Sequence, residues 1–141
     1  MAFAADVSKF VEKTKISADK VLRKIALDGL RGVLLGSPVD TGRFRGSWRV
    51  GINRVIKSVK APPEKKKLAP KQSVDPATLA DGSEKIGKAK FGDTIYITNN
   101  VVYAQRLEDG HSKQAPAGVL KLTAIRVFGA FEKAVKAVSG L

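Results

Sequence analysis

The residues most suggestive of catalysis are Asp40, Thr41 and Gly42, the triplet that aspartic proteases use to place a catalytic carboxylate. In those enzymes two carboxylates share one proton, and a homodimer of this chain would supply the second carboxylate. Arg43 and Arg45 follow the triplet, however, and neighbouring cations favour an ionised carboxylate that shares no proton. Because aspartate also bonds readily to nearby backbone in turns, we interpret the triplet as a structural turn.

Other catalytic arrangements find little support in the sequence. The single histidine, His111, lies between a glycine and a serine, in a segment expected to be a solvated loop. Glu108 and Asp109 are adjacent, so on a strand they would point to opposite faces and would not act on one substrate. The chain has no cysteine, no nucleophile elbow, no phosphate-binding loop and no dinucleotide fingerprint. We therefore expect no enzyme, no cofactor and no metal site.

Arginines and aromatic residues alternate after the triplet and indicate a basic surface. The aromatic residues Phe44 and Trp48 occupy even positions, whereas Arg43, Arg45 and Arg49 occupy odd ones. Because successive side chains of a strand point to opposite faces, we expect the aromatics to face the core and the arginines to face outward. Outward arginines favour contact with phosphates or with another subunit over stacking on bases. The predicted interface residues are Arg43, Arg45, Arg49, Arg54, Arg106, Glu108 and Asp109.

Short β-prone segments bounded by turn residues must position these side chains. A strand is predicted to begin at about Phe44. A second strand covers residues 94–98, residues 99–100 favour a turn, and residues 101–103 resume the extended pattern. These segments predict a hairpin, which the acidic turn at residues 108–110 closes.

Two longer segments carry apolar residues at three- and four-residue steps and are predicted to be amphipathic helices. The first runs from about residue 6 to residue 35, and Ser17 is placed to restart it as an N-cap, so it is one helix or two. Gly29 and Gly32 each weaken a helix by about 1 kcal/mol relative to alanine, which indicates a close approach or a bend. The second helix is predicted over residues 117–138, with the preceding proline in its first turn.

Positive charge is concentrated between the two strand regions. The formal net charge is +13, and residues 57–90 contribute +5 of it, from nine basic and four acidic residues. This segment also holds four of the six prolines and few large apolar residues, so we expect a mobile or extended arm. Within it, Asp75 and Pro76 predict a single helical turn. Its possible phosphate or partner contacts are Lys65, Lys66, Lys67 and Lys71.

These elements predict an α+β protein. A small antiparallel sheet is flanked by a long N-terminal helix and a C-terminal helix, with a Lys/Pro-rich insertion at residues 57–90. We expect one domain, residues 1–141, large enough to bury a core. The absence of cysteine suits a reducing cytoplasm, and we find neither a signal peptide nor an apolar run of the about eighteen residues that span a membrane. A soluble protein without a membrane partner is expected.

Three blocks of residues, in this order, resemble the tail-completion and head-to-tail joining proteins of long-tailed bacteriophages, the group that includes the lambda-type minor tail protein Z. The matching residues are Asp40, Thr41, Gly42, Phe44, Arg45 and Ser47, then Tyr103, Ala104, Glu108 and Gly110, and finally Pro116, Leu120 and Ala124. The long insertion between the first two blocks departs from a compact member of that group. We expect a structural role for Asp40, Thr41, Gly42, Trp48, Tyr103, Gly110 and Pro116.

The resemblance implies a structural virion protein, made in the host cytoplasm, that completes the head-proximal end of the tail and joins it to the head. It further implies a homo-oligomeric ring of about six subunits, with tail-tube or terminator proteins and head-completion connector proteins as partners. A tail terminator or a head-completion stopper is the alternative within this class. The alternative from another class is a basic protein that binds DNA without sequence preference, and non-specific contact with genomic DNA is compatible with both.

Overall fold

The computed structural model describes residues 3–62, 69–70, 74–115 and 117–139. In these ranges it contains five α-helices and two strands: α1 (Phe3–Thr14), α2 (Ala18–Gly36), β1 (Trp48–Ile52), α3 (Pro76–Ile86), β2 (Ile95–Asn99), α4 (Ala104–Glu108) and α5 (Leu120–Ser139). The two strands pair antiparallel, so the predicted α+β class, with long helices towards both ends of the chain, is confirmed. Within the described ranges, none of the helices has the length and apolar character needed to cross a membrane.

The N-terminal amphipathic segment forms two helices, α1 and α2, that meet at Ser17. The hydroxyl oxygen of Ser17 accepts a hydrogen bond from the Lys20 N–H at 3.3 Å, which satisfies one of the free donors at the start of α2. Lys15, between the helices, has a φ of 63°, a left-handed value that interrupts helical geometry. The predicted restart at Ser17 is therefore confirmed.

The sheet joins segments that lie on either side of the insertion. β1 and β2 pair from Trp48 opposite Asn99 to Ile52 opposite Ile95, with Val50 opposite Ile97 at the centre. One face of this pair packs on α2, where a Cβ added at Gly29 would lie 3.5 Å from Ile97 Cδ1. The helical layer thus covers the apolar face of the sheet, as expected for an amphipathic two-stranded unit.

The predicted hairpin over residues 94–103 is wrong. The side-chain oxygen of Asn99 accepts a hydrogen bond from the Val101 N–H at 3.2 Å, and this local turn ends the strand. The chain then enters α4, in which Tyr103 is the N-cap residue, instead of returning as a strand. The sequence predicts a turn at residues 99–100, and a turn is present at Asn99, but the partner strand of β2 comes from a distant part of the chain.

The insertion contributes to the core, so the prediction of a wholly mobile or extended arm is wrong. Asp75 and Pro76 begin a helix of 11 residues, not a single turn. Ile86 of this helix is 3% exposed. A Cβ at Gly82 would lie 2.4 Å from Leu30 Cδ2 and 3.0 Å from Val50 Cγ2. Glycine therefore lets the backbone of α3 approach β1 and α2, which compensates for the scarcity of large apolar residues.

The described residues form two hydrophobic clusters, and α2 contributes to both. The central cluster lies between α2, the sheet and α3, and it includes Leu30, Trp48 and Val50. The terminal cluster joins α1 and α5 to the first half of α2, through Val7 and Phe131 among others. The C-terminal helix that contributes to this cluster begins at Leu120, slightly later than predicted.

At Gly32, the backbone of α2 lies close to α5. A Cβ at this position would lie 2.5 Å from Thr123 Cγ2, which is too short for unaltered packing. The close approach predicted from the helical glycines is therefore confirmed at Gly32.

Candidate functional site

The first two sequence motifs meet in space around one cleft of about 400 Å³. The side chain of Gln114 holds its two sides together: its Oε1 accepts from the Val39 N–H at 2.9 Å and its Nε2 donates to the Val39 carbonyl at 3.0 Å. Within the lining of the cleft, the rings of Phe44 and Tyr103 lie 6.4 Å apart between centroids. Residues far apart in the sequence thus form one folded unit.

The Asp40-Thr41-Gly42 triplet forms one wall of this cleft as a turn, as predicted. The Thr41 hydroxyl oxygen accepts from the Arg43 N–H at 3.4 Å. Gly42 has a φ of +84°, and its carbonyl accepts from the Gly46 N–H at 2.8 Å. The carbonyl of Asp40 accepts from the Ala69 N–H at 2.8 Å, so the turn also holds part of the insertion. The turn needs a residue with a left-handed backbone conformation at this position, and glycine adopts that conformation without steric cost.

The cleft also contains side chains able to bind a polar group. Exposed Asp40 and His111 line it, together with half-buried Tyr103. Their carboxylate, imidazole and phenol groups offer both donors and acceptors towards the same space. Among the described residues, no group of three or more histidine or acidic side chains is placed to hold a metal ion. The described residues of the cleft thus place a carboxylate, an imidazole and a phenol around one polar space.

The expectation that Arg43, Arg45 and Arg49 face outward is wrong for Arg45. This residue is 6% exposed, and its Nη1 donates to the Pro70 carbonyl. The reason is that β1 begins at Trp48, so Arg45 lies in a short 3-10 turn (Arg45–Ser47), where strand alternation does not apply. The predicted start of the strand, at about Phe44, is therefore too early.

The other three arginines predicted at the interface differ in their hydrogen bonds and in their exposure. Arg43 Nε donates to the Lys60 carbonyl at 3.0 Å. Arg49 donates from Nη1 to the Gly46 carbonyl at 2.7 Å and from Nε to the Ser58 hydroxyl at 3.2 Å. Arg43 therefore ties the segment after β1 to the turn before β1, and Arg49 ties the same segment to the sheet. Arg54 is exposed on the turn that follows β1.

Glu108 has an internal role at the start of α5, although the sequence suggested an interface residue. Its carboxylate accepts hydrogen bonds from the N–H groups of Val119, Leu120 and Lys121 at 3.0, 2.7 and 3.1 Å. Burial raises the pKa of Glu108, but the N–H groups of Leu120, Lys121 and Val119 and the charge of Lys121 outweigh burial and hold this pKa below its ordinary value. Glu108 is thus a cap supplied from another helix.

Gly118 makes this cap possible. Its φ is +82°, and a Cβ at this position would lie 2.5 Å from the Glu108 carbonyl oxygen and 2.9 Å from Glu108 Oε2. No spacing rule for helix caps links Glu108 to Val119, so the sequence carried no signal for this contact. The same holds for the hydrogen bond of 2.8 Å from Trp48 Nε1 to the Ser37 hydroxyl, which ties β1 to the end of α2.

The remaining predicted site residues lie on α4, beside it, or outside the described ranges. Arg106 and Asp109 are exposed, and Asp109 accepts from Gln105 Nε2 at 3.0 Å. Gly110, with a φ of +89°, ends α4 in the left-handed conformation typical of a C-terminal glycine. The residues outside the described ranges are Lys65, Lys66, Lys67, Lys71 and Pro116.

Comparison with known proteins returned no matching family model, no matching curated protein and no matching solved structure.

Proposed function

We propose that this protein is a structural component of the phage neck or tail, which completes the head-proximal end of the tail and joins it to the head as part of a ring. The proposal is carried by one observation: the motif residues that resemble the tail-completion group serve to hold the fold together. Gly42 shapes the turn before β1, Phe44 packs against Tyr103, and Glu108 caps α5. Such roles are those expected of residues that maintain a fold, and none of them is a catalytic role.

The ring would form by a head-to-tail contact between different surfaces of neighbouring subunits, which closes by rotation. Arg54, Arg106 and Asp109 are the predicted interface residues that are exposed, so they supply charges of both signs for this contact. Complementary charges would set the register between neighbours. The polar cleft beside Asp40 and His111 is a second surface for a partner in the virion.

Sequence-independent DNA binding is the second candidate, and the arrangement of the arginines weighs against it as the primary function. A basic hairpin surface needs free arginines in a row, whereas Arg45 is buried and Arg43 and Arg49 bind main-chain carbonyls. The net charge of +13 still favours weak, salt-sensitive contact with DNA. Such contact is compatible with a ring through which a genome passes.

Disruption of the gene in the source phage or prophage, followed by electron microscopy of the lysate, tests the proposal. We expect full heads beside separate tails of normal length. Overlong tails would indicate a tail terminator, and heads that lose their DNA would indicate a head-completion stopper. Intact infectious virions would reject the neck function and favour the DNA-binding candidate.

Complementation of the disruption with a charge-reversal variant tests the interface. The Asp109→Lys variant is expected to fold but to yield few joined particles, because like charges then face each other across the contact. Lys133→Glu reverses an exposed charge on α5, away from the proposed contact, and serves as the control. Equal joining yields from the two variants would remove Asp109 from the interface.

A further inference from the structure

The outer edge of β2 presents main-chain groups that have no partner within the described part of the molecule. The Asn53 N–H donates to the Thr94 carbonyl at 2.7 Å, so Thr94 points towards β1. Because the direction alternates along an antiparallel strand, Tyr96 and Thr98 also bond towards β1, while Ile95 and Ile97 point away from it. Among the described residues, no hydrogen bond satisfies the outward N–H and C=O of Ile95 or Ile97.

Space lies directly beside this edge. Two open cavities of about 470 Å³ and 490 Å³ both border Ile97 and Leu120. The first lies between β2, α2 and α5, the second extends along β2 to α4, and together they form a groove beside β2. We call it the β2 groove. Leu120 is 46% exposed and Phe128, further along the same wall, is 42% exposed. An extended chain thus has access to the outward groups of β2 and to an apolar wall next to them.

The two edges of the sheet differ in whether a helix packs beside them. On the side of β1, α3 approaches so closely that a Cβ at Gly82 would lie 3.0 Å from Val50 Cγ2. Among the described residues, the edge of β2 has no such helix against it, and the strand Ile95–Asn99 contains no charged residue and no proline. Proteins usually protect a free edge with lysine, proline or a covering element, because an unprotected edge pairs with another strand.

We propose that β2 of a second copy of this chain pairs antiparallel with β2 along this edge. The result is a four-stranded sheet, β1-β2-β2-β1, with the two Ile97 residues opposite each other at a two-fold axis. The outward N–H and C=O groups of Ile97 then satisfy each other across the axis. Leu120 and Phe128 of both copies are covered in the same contact.

Charge selects a second copy over an acidic partner. The cavity of about 470 Å³ in the β2 groove is lined by uncharged residues alone, in a chain of which 28% is charged. DNA or an acidic protein would find no cation there, whereas copies that carry a net charge of +13 repel each other least through an uncharged surface. The strand Ile95–Asn99 is itself uncharged and β-prone, so it complements its own edge.

The contact is isologous and therefore differs from the head-to-tail contact of the proposed ring. The two proposals stand separately. A ring without pairing of β2 would leave the proposed function intact, and a dimer through β2 would form whether or not the protein acts in a phage neck.

The test measures the mass of the purified full chain by light scattering across a wide range of protein concentration. We expect a dimer in the wild type. Ala124→Glu places a charge in the β2 groove at an exposed helical position, and it should raise the dissociation constant by about tenfold or more. Ala137→Glu makes the same change at an exposed position of α5 outside the groove and should leave the dissociation constant unchanged.

Amide hydrogen exchange distinguishes strand pairing from any other self-association. In the dimer, the outward amides of Ile95 and Ile97 should exchange slowly, as the Tyr96 amide does. Ala124→Glu should restore fast exchange at these outward amides and leave Tyr96 protected. A monomeric wild type would overturn the proposal. A dimer in which the Ile97 amide exchanges fast would overturn it equally, because the contact would then lie elsewhere.

Discussion

Among single residues, Glu108 joins the second sequence motif to the last helix. One carboxylate satisfies three N–H groups at the start of α5, and Gly118 provides the room for it. Asp109, its neighbour in sequence, is exposed and accepts a hydrogen bond from Gln105, within its own helical turn. Two adjacent acidic residues therefore have different roles, which depend on the position of a helix that follows later in the chain.

We predict that Glu108→Gln lowers the free energy of unfolding by about 1 kcal/mol at neutral pH, the usual contribution of a helix cap. The amide keeps one acceptor oxygen but loses the negative charge and the second acceptor. Urea denaturation monitored by circular dichroism measures the change. Asp109→Asn is the matched control and should change the free energy of unfolding by less than about 0.5 kcal/mol.

The effect of Glu108→Gln depends on pH in a defined direction. The pKa of Glu108 is lower in the folded protein than its ordinary value of 4.5, so its charge stabilises the fold above that value. This contribution is lost as the pH falls below 4.5 and through the folded pKa. The difference between wild type and variant should therefore shrink in acid, and a constant difference would show that the charge is not responsible.

Among the helices and strands, glycines determine how closely the elements pack. Gly82 brings α3 against Leu30 and Val50, which makes part of the basic insertion a component of the core. Gly32 brings α2 against α5, at buried Thr123. A Cβ at Gly129, in the middle of α5, would meet no described atom within 4 Å, so close packing does not require glycine there.

We predict opposite effects for alanine at Gly32 and at Gly129. Gly129→Ala should stabilise the protein by up to about 1 kcal/mol, since alanine is the better helix former. Gly32→Ala should destabilise it by about 1–3 kcal/mol, because the new methyl group overlaps Thr123. Thermal denaturation of both variants measures the effects.

A second substitution identifies the cause at Gly32. Thr123→Ser removes the methyl group that the new Cβ would meet at 2.5 Å, so it should recover most of the loss caused by Gly32→Ala. If the double variant is no more stable than expected from adding the two single changes, the contact between α2 and α5 is looser than described.

In the molecule as a whole, α2 connects two hydrophobic clusters. Its first half contributes Val21 to the terminal cluster, and its second half contributes Leu30 and Leu34 to the central one. The chain has one tryptophan, Trp48, and it lies in the central cluster. Because one helix belongs to both clusters, they should unfold together, as the prediction of one domain requires.

We predict that Phe131→Ala, a substitution in the terminal cluster, destabilises the whole molecule by about 3–5 kcal/mol. Fluorescence of Trp48 reports the central cluster, and far-ultraviolet circular dichroism reports all helices. Both probes should show the same transition, shifted by the same amount in urea. A Trp48 transition that stays at the wild-type urea concentration would divide the chain into two independently stable units.

Local sequence patterns were enough to predict the long helices, the positions of several turns and the α+β class. Hydrophobic periodicity, the N-cap at Ser17 and the glycine turn at Gly42 are local features, and their effect depends on neighbours within a few residues. The same local rules predict the turns of the first two motifs. Local interactions suffice for such features because the chain carries the partner nearby.

The partner of β2, the burial of Arg45, the role of Glu108 and the packing of α3 emerged only from the folded arrangement. Each depends on a contact between distant residues: Ile97 with Val50, Arg45 with Pro70, Glu108 with Leu120, and Gly82 with Leu30. Such contacts form only when the whole chain has folded, because the free energy that stabilises them comes from burial shared among several elements. Short spacing patterns in a sequence carry no record of that shared burial.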